Sequence, residues 1–276
     1  MSVFKIRHLK CAYDPKTTVL QLDELDIPAG RMVFVIGKSG VGKSTLLETL
    51  GLMNRTILAR ADTSILLTPP NGEVCEIKDA WDWSNARLSQ FRRQHLSFIF
   101  QQTNLMPNFT AGENMIIGLL LKGRSYAEAK REVLKVMARL FLPEEVFDKK
   151  VTEISGGQRQ RLAFVRAITA DFTVLFGDEP TGNLDKQTAQ EVLAVLQEAV
   201  RQEGKTVILV SHDLHLALQF ADMVIPITAG HQKDGQPIGT VAPNNIIERQ
   251  SSGWIDQGGE LIDAPFELLS RCMAKA

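Results

Sequence analysis

The stretch MVFVIGKSGVGKSTLLETL, residues 32–50, decides the fold. Met32 to Ile36 is a continuous apolar run ending at a glycine, the pattern of a strand buried on both faces of a parallel sheet. From Lys43 to Leu52 the chain reads as a helix with Leu46, Leu47 and Leu50 on one side. Between them GKSGVGKS, Gly37 to Ser44, satisfies G-x-x-x-x-G-K-S/T in its strand–loop–helix setting. Each part has a chemical reason. Gly37, Ser39, Gly40 and Gly42 form a loop whose backbone can wrap a β-phosphate with its N–H groups pointing inward. The helix N terminus, which runs on through Thr45, adds a dipole that favours anions. Lys43 supplies a point charge to the β- and γ-phosphates, and the Ser44 hydroxyl is placed to bind Mg2+. Four fixed positions would match by accident in on the order of one chain in a hundred of this size, and the strand–loop–helix setting lowers that further.

VLFGDEP, residues 174–180, is the natural second half. A buried strand delivers Asp178 and Glu179 to its carboxyl end, the edge where ligands bind in open α/β sheets. Asp178 is the candidate to hold Mg2+, through water. Glu179 is the candidate to polarise an attacking water, a role worth roughly 10²–10⁴ in rate. An acidic turn after a strand is common, and only the phosphate loop beside it gives this one meaning.

The final third alternates helix and buried strand: Gln158 to Ala170, VLFGD, Thr188 to Glu203, TVILVS, Leu214 to Ala221, MVIPI. That order predicts a parallel sheet covered on both faces. Residues 1 to about 30 read as short strands separated by turns, among them DPKT. TSILL and EVCEI read as strands flanking the turn TPPNG. Ala86 to Leu142 reads as mainly helical, broken by LSFIF and the loop LMPNFT, with Ser125 capping an amphipathic helix and Glu128 three residues on. After about Gly235 the chain becomes richer in Gly, Gln, Asn and Pro, and a boundary is expected there.

The net charge of −1 gives no basic field for gripping nucleic acid, so no nucleic-acid partner is expected. The longest apolar runs, Met32 to Ile36 and Met115 to Leu121, fall well short of the roughly 20 residues that cross a bilayer. The N terminus lacks the apolar stretch of a signal peptide. A cytoplasmic protein is expected, reaching the membrane only through a partner. Cys11, Cys75 and Cys272 have no metal-site spacing and read as small hydrophobes in a reducing compartment.

ISGGQRQRLAFVRAI, residues 154–168, resembles the signature sequence of ATP-binding-cassette (ABC) proteins, with Ile154 where Leu is usual. In that family the segment acts in trans: two cassettes dimerise head to tail with two ATP molecules between them. The resemblance implies that Ser155, Gly156, Gly157 and Gln158 face the γ-phosphate held by a second subunit, in a homodimer. Opening a helix with those residues suits the role. Other matches follow in family order. Gln101 in FQQTNLMP resembles the glutamine that contacts Mg2+ and the water. Asp185 in GNLD resembles the residue that crosses the dimer interface, and His212 in VSHD the switch histidine on the γ-phosphate. Tyr13 resembles the aromatic residue that stacks on adenine. The resemblance spans about residues 1–232 and implies an intact ATP- and Mg2+-dependent hydrolytic site with catalytic Glu179, His212 and Gln101 and metal-binding Ser44, Gln101 and Asp178. It also implies a fold: an α/β P-loop NTPase core with a mixed, largely parallel sheet, an antiparallel β subdomain and an inserted α-helical subdomain at about 86–155. The cassette then occupies 1–235, with 236–276 as a C-terminal extension.

Lys43, Gln101 and Ser155 are too closely spaced for the inserted coiled coil of chromosome-organising relatives, and one phosphate loop argues against the two-cassette ribosomal type. A transporter motor remains, peripheral at the cytoplasmic face through an integral membrane subunit. FQQTNLMPNFTAGENM and GDEPTGNLD resemble the lipoprotein-releasing, macrolide-exporting and cell-division group, whose range covers lipoprotein, lipid and drug or peptide export. The alternatives are a non-transport ABC ATPase acting with a membrane protein in envelope remodelling or division, and a soluble ABC ATPase. Residues 103–115, with apolar Leu105, Met106 and Phe109 in a loop, are a candidate docking groove for a cytoplasmic helix of the membrane subunit. DAPFELLSRCMAKA reads as a helix capped near Asp263, with Phe266, Leu269 and Met273 on one face.

Overall fold

The computed structural model describes residues 1–14, 17–58, 61–70, 72–231 and 237–274. β1 (Ser2–Asp14) and β2 (Thr17–Pro28) pair as one long antiparallel hairpin rather than a series of short strands. The sequence hides this because the buried phase slips: Ile6 and Leu9 are both buried, three residues apart, and His8 between them sits at φ 49°. The slip breaks the two-residue alternation by which strands are read. The DPKT turn includes residues 15 and 16, outside the described residues.

β3 (Met32–Ile36) leads into α1 (Lys43–Leu50). β4 (Ser64–Leu67) and β5 (Cys75–Glu76) extend the antiparallel side. α2 (Asn85–His95) runs directly into β6 (Leu96–Ile99). α3 (Ala111–Leu121), α4 (Tyr126–Arg139) and α5 (Gly156–Thr169) follow, then β7 (Val174–Asp178), α6 (Lys186–Glu203), β8 (Thr206–Ser211), α7 (Leu214–Phe220) and β9 (Met223–His231). β10 (Pro237–Val241), β11 (Ile247–Gln250), β12 (Gly253–Asp256) and α8 (Pro265–Ala274) complete the chain.

The strand order is β5-β4-β1-β2-β10-β9-β3-β8-β7-β6. From β9 to β6 all neighbours are parallel, and the other side is mainly antiparallel. This is the α/β core with a mixed sheet expected from the sequence. Strand parity sorts the interior into two cores. Met32, Phe34, Ile36, Val207 and Leu209 face one, with α3 to α8. Val33, Val35, Ile208 and Val210 face the other, with α1, α2 and the β1–β2 hairpin. A strand buried on both faces has no polar side, which is why β3, β7 and β8 are legible as continuous apolar runs.

Two regions sit differently from the sequence reading. The helical stretch expected over about 86–155 divides: Leu88 and Phe91 of α2 pack in the core of the β1–β2 side, and β6 is an edge strand of the parallel sheet beside β7. The mutually packed helices are α3, α4 and α5. The expected boundary near Gly235 lies in residues 232–236, outside the described residues. The chain beyond it is woven into the same sheet. β10 lies between β2 and β9, β11 pairs with β9, and Ile247, Trp254 and Leu269 join the large core. α8 begins at Pro265, and its buried side chains are Leu269 and Cys272, while Phe266 stays exposed. Cys11 and Cys272 are buried and Cys75 is half-buried, and none of the three is in a disulfide. Burial pushes the Cys11 thiol up to about 12, which leaves it an inert hydrophobe.

β10 also braces the phosphate loop. A side chain on Gly239 would collide with the Val41 carbonyl, in the middle of GKSGVGKS. Gly239→Ala is therefore expected to displace that loop at a cost of about 1–3 kcal/mol. Thermal unfolding and equilibrium ATP binding should both weaken; an unchanged ATP affinity would show that β10 does not shape the loop.

Candidate functional site

α1 opens unlike α2 to α7. Ser84, Thr110, Ser125, Ser155, Asp185 and Asp213 each accept a backbone hydrogen bond at the start of α2 to α7. α1 instead starts after Gly42, at φ 99°, with no side-chain cap. Its first-turn N–H groups are thus offered to an external acceptor, at the positive end of the helix dipole. Lys43 is 6% exposed, and its Nζ donates to the Lys38 carbonyl at 2.7 Å, which folds the ammonium back over the loop. Burial lowers the Lys43 pKa, while Glu179 and Asp178 oppose that shift. Gly37 permits the tight entry to the loop, since a Cβ there would sit 2.5 Å from the Ile227 carbonyl oxygen. Ser39 and Gly40 are exposed at its rim, and Thr45 is buried behind it.

The carboxylates converge on the same edge. Asp178 ends β7, where the Ser44 hydroxyl favours its ionised form. Burial pushes its pKa up, with Glu179 adding to the effect and Ser44 and Lys43 opposing it. Glu179 follows at φ 44°, left-handed backbone for a residue before proline, a strain on the order of 1–3 kcal/mol. Its N–H donates to the Val210 carbonyl at 3.1 Å, tying the turn to β8. β8 in turn delivers His212, whose Nδ1 lies 3.5 Å from Glu179 Oε2. Gln101 comes from the loop after β6. Its Nε2 and Glu179 Oε2 lie 4.0 and 3.9 Å from the point where a Gly182 side chain would begin, so the two groups meet over that glycine. Sequence-distant Ser44, Gln101, Asp178, Glu179 and His212 are thus gathered at the carboxyl edge of the parallel strands. Among the described residues no cluster of three or more His, Cys, Asp or Glu could hold a metal unaided. A hydroxyl, an amide and one carboxylate instead fit Mg2+, which keeps waters and substrate phosphates in its shell.

The other candidates sit apart from that pocket's floor. Ser155, Gly156 and Gly157 are exposed at the tip of α5. A capping box holds them: Gln158 N–H donates to Ser155 Oγ at 3.2 Å, and Ser155 N–H to Gln158 Oε1 at 3.0 Å. Asp185 is exposed and caps α6, accepting from Thr188 N–H at 3.0 Å and Thr188 Oγ1 at 2.7 Å. Those bonds hold its pKa below the usual range. Tyr13 is 57% exposed, with its hydroxyl 3.3 Å from Thr45 Oγ1 and donating to Glu48 at 2.7 Å. Its ring therefore stands exposed beside α1 rather than in the core.

The family model described as ABC transporter matches residues 20–182. The chain belongs to the ABC transporter family. It is an ATPase of that family, the ATP-binding subunit type. The cassette is 35% identical over 205 residues to the lipoprotein-releasing system ATP-binding protein LolD of Idiomarina loihiensis, covering 74% of this chain and 84% of that protein. It is also 35% identical to the macrolide export ATP-binding/permease protein MacB of Vibrio parahaemolyticus, covering 87% of this chain and 34% of MacB. In structure the cassette is similar to MJ0796, an ATP-binding cassette solved as a dimer bound to ADP and Pi, with a TM-score of 0.67 and 28% identity over 80% of this chain and 93% of that one. No helix among the described residues of the cassette is long and apolar enough to cross a membrane.

Two residues of the cassette escape a sequence reading. Gln160, 4% exposed, donates to the Pro180 carbonyl at 2.7 Å, and Arg166 donates to the Thr103 and Asn104 carbonyls at 2.9 Å each. Both are polar residues on α5 that read as solvent-facing. The available signal was their place on the apolar side of that helix. The raised pKa of Asp178 has a consequence. Its ionised form is penalised by burial; that penalty is fully present above the raised value and is relieved as pH falls from there toward the ordinary carboxylate range. Asp178→Asn should therefore raise the thermal midpoint of the nucleotide-free protein at neutral pH while abolishing hydrolysis. An unchanged or lower midpoint would show that the carboxylate is not under strain.

Proposed function

We propose that this cassette hydrolyses ATP as half of a two-site homodimer and drives a separate integral membrane subunit from the cytoplasmic face. What carries the reading is the uncapped N terminus of α1 beside Lys43 and the Asp178–Glu179 turn. The ATP phosphates lie on the first turn of α1 and Lys43, with Tyr13 against the base. Ser44, Gln101 and Asp178 would hold Mg2+, which would offset charge on the phosphate oxygens. Ser155, Gly156, Gly157 and Gln158 of a second copy close over the γ-phosphate, their capping box opening toward it, and Asp185 crosses the interface. A water then attacks phosphorus and gives a proton to Glu179, as the bond to the β–γ bridging oxygen breaks and ADP leaves. His212, next to Glu179, contacts the γ-phosphate. A closed dimer that prefers ATP over ADP moves its membrane partner through differential affinity.

LolD is named for a lipoprotein-releasing system and MacB as a macrolide export ATP-binding/permease protein, and both support a transporter role; the range we propose is export of lipoprotein, lipid, drug or peptide. The docking surface we assign is the groove of about 390 Å³ lined by Phe98, Phe100, Asn104, Met115, Ile117 and Arg166. Met106 and Phe109, each 37% exposed, lie in the loop that leads into α3. Buried Asn114 fixes that loop by bonding both backbone groups of Met106. Exposed apolar side chains on a loop held in this way, together with that groove, suit a cytoplasmic helix of the membrane subunit.

Glu179→Gln should lower hydrolysis by roughly 10²–10⁴ and hold ATP. Tagged Glu179→Gln, captured with ATP from solubilised native membranes, should bring down a polytopic membrane protein in stoichiometric amount; recovery of soluble proteins alone would remove the transporter role and leave the ATPase. Phe109→Asp should uncouple transport while isolated ATPase activity persists, and equal loss of folding and activity would place Phe109 in the core instead.

A further inference from the structure

α5 joins three parts of the site. Its tip carries Ser155, its inner face carries Gln160, and its last turns carry Arg166 on the loop that follows Gln101. Gln160 is the unexpected member. The side chains buried beside it on α5 are apolar, Leu162, Ala163, Phe164 and Ala167 among them. A leucine or methionine would fill that position without the cost of burying an amide. The amide is nevertheless there, and its Nε2 donates to the Pro180 carbonyl at 2.7 Å.

That carbonyl belongs to the peptide next to Glu179. Glu179 sits at φ 44°, and such backbone persists only where its surroundings over-determine it. Three hydrogen bonds provide the constraint: Glu179 N–H to Val210 O at 3.1 Å, Gly182 N–H to Glu179 O at 3.1 Å, and Gln160 to Pro180 O. Pro180 has no N–H of its own to anchor it. Only the third bond comes from a side chain, and that side chain stands less than two turns from the Ser155–Gln158 cap. We propose that Gln160 is a positioning residue for hydrolysis, holding the Glu179 turn in its strained form and tying it rigidly to the helix whose tip closes the other subunit's site. Loss of the bond lets Glu179 relax away from the attacking water without disturbing the phosphate loop.

The inference rests on Glu179 as the group that activates water, and the two can fail separately. Retained hydrolysis in Glu179→Gln would remove the assignment of Glu179 itself. With that control inactive, Gln160→Met in the full-length protein should lower kcat about 10-fold or more, with KM for ATP within about 3-fold of the parent. Gln160→Glu supplies the readout that a packing role would not move. Its carboxyl can donate to Pro180 O only when protonated, and burial favours that form. Its kcat relative to the parent should therefore rise as pH falls from about 8 to about 6. An unchanged kcat in a folded Gln160→Met, or a flat pH ratio for Gln160→Glu, would each overturn the proposal. If Gln160→Met does not fold, the pH ratio decides alone.

Discussion

A helix whose first-turn N–H groups are left without a side-chain cap has to meet an anion or water, and α1 is built so that an anion is favoured. Gly42 removes the cap that every helix from α2 to α7 has, and the buried ammonium of Lys43 adds positive charge. The surroundings then follow from electrostatics and space. Two carboxylates face that positive end, and the Ser44 hydroxyl eases the cost of charge on Asp178. The wall is backbone drawn close: Ile227 against Gly37, and β10 against Val41. An ATPase site of this kind is a convergence of partial and full charges that is costly in isolation and stabilised by its ligand.

The same logic explains why strain gathers at Glu179. Placing a carboxylate at the end of β7 and turning it toward β8 requires a left-handed residue before a proline, which the chain resists. The turn is held by bonds to β8 and to α5, so the carboxylate's position is coupled to elements that reach other parts of the site. α5 also grips the loop after Gln101 through Arg166, whose burial lowers its pKa. A single helix thereby carries the exposed Ser155 tip and contacts the loops that follow Gln101 and Glu179, the arrangement needed if events in one site are to be felt in another.

Much of this was legible in the chain because the informative residues obey local rules. β3, β7 and β8 declare themselves as unbroken apolar runs, since neither face meets water. The Ser125–Glu128 and Ser155–Gln158 capping boxes are spelled out at three-residue spacing. Long-range features were not legible. The β1–β2 hairpin is obscured by the phase slip at His8, and β10, with the short sequence PIGTV, becomes a strand only because β2 and β9 flank it. α2 reads as part of a helical block, yet its Leu88 and Phe91 turn to the opposite core. Of the site, the residue types and their order could be read, and the meeting of Gln101 and Glu179 over Gly182 could not. Gln160 and Arg166 escaped because a polar residue in a helix is ordinarily solvated, and only tertiary contacts show otherwise.

The central claim is that each hydrolytic site is completed by a second copy of the chain. Mixing two inactive variants tests it most directly: Lys43→Ala, which spoils the phosphate loop, and Ser155→Arg, which spoils the helix tip. Equal amounts should recover about a quarter of the parent ATPase rate, because half the dimers are mixed and each mixed dimer keeps one intact site. A mixture as inactive as its components would contradict the shared site.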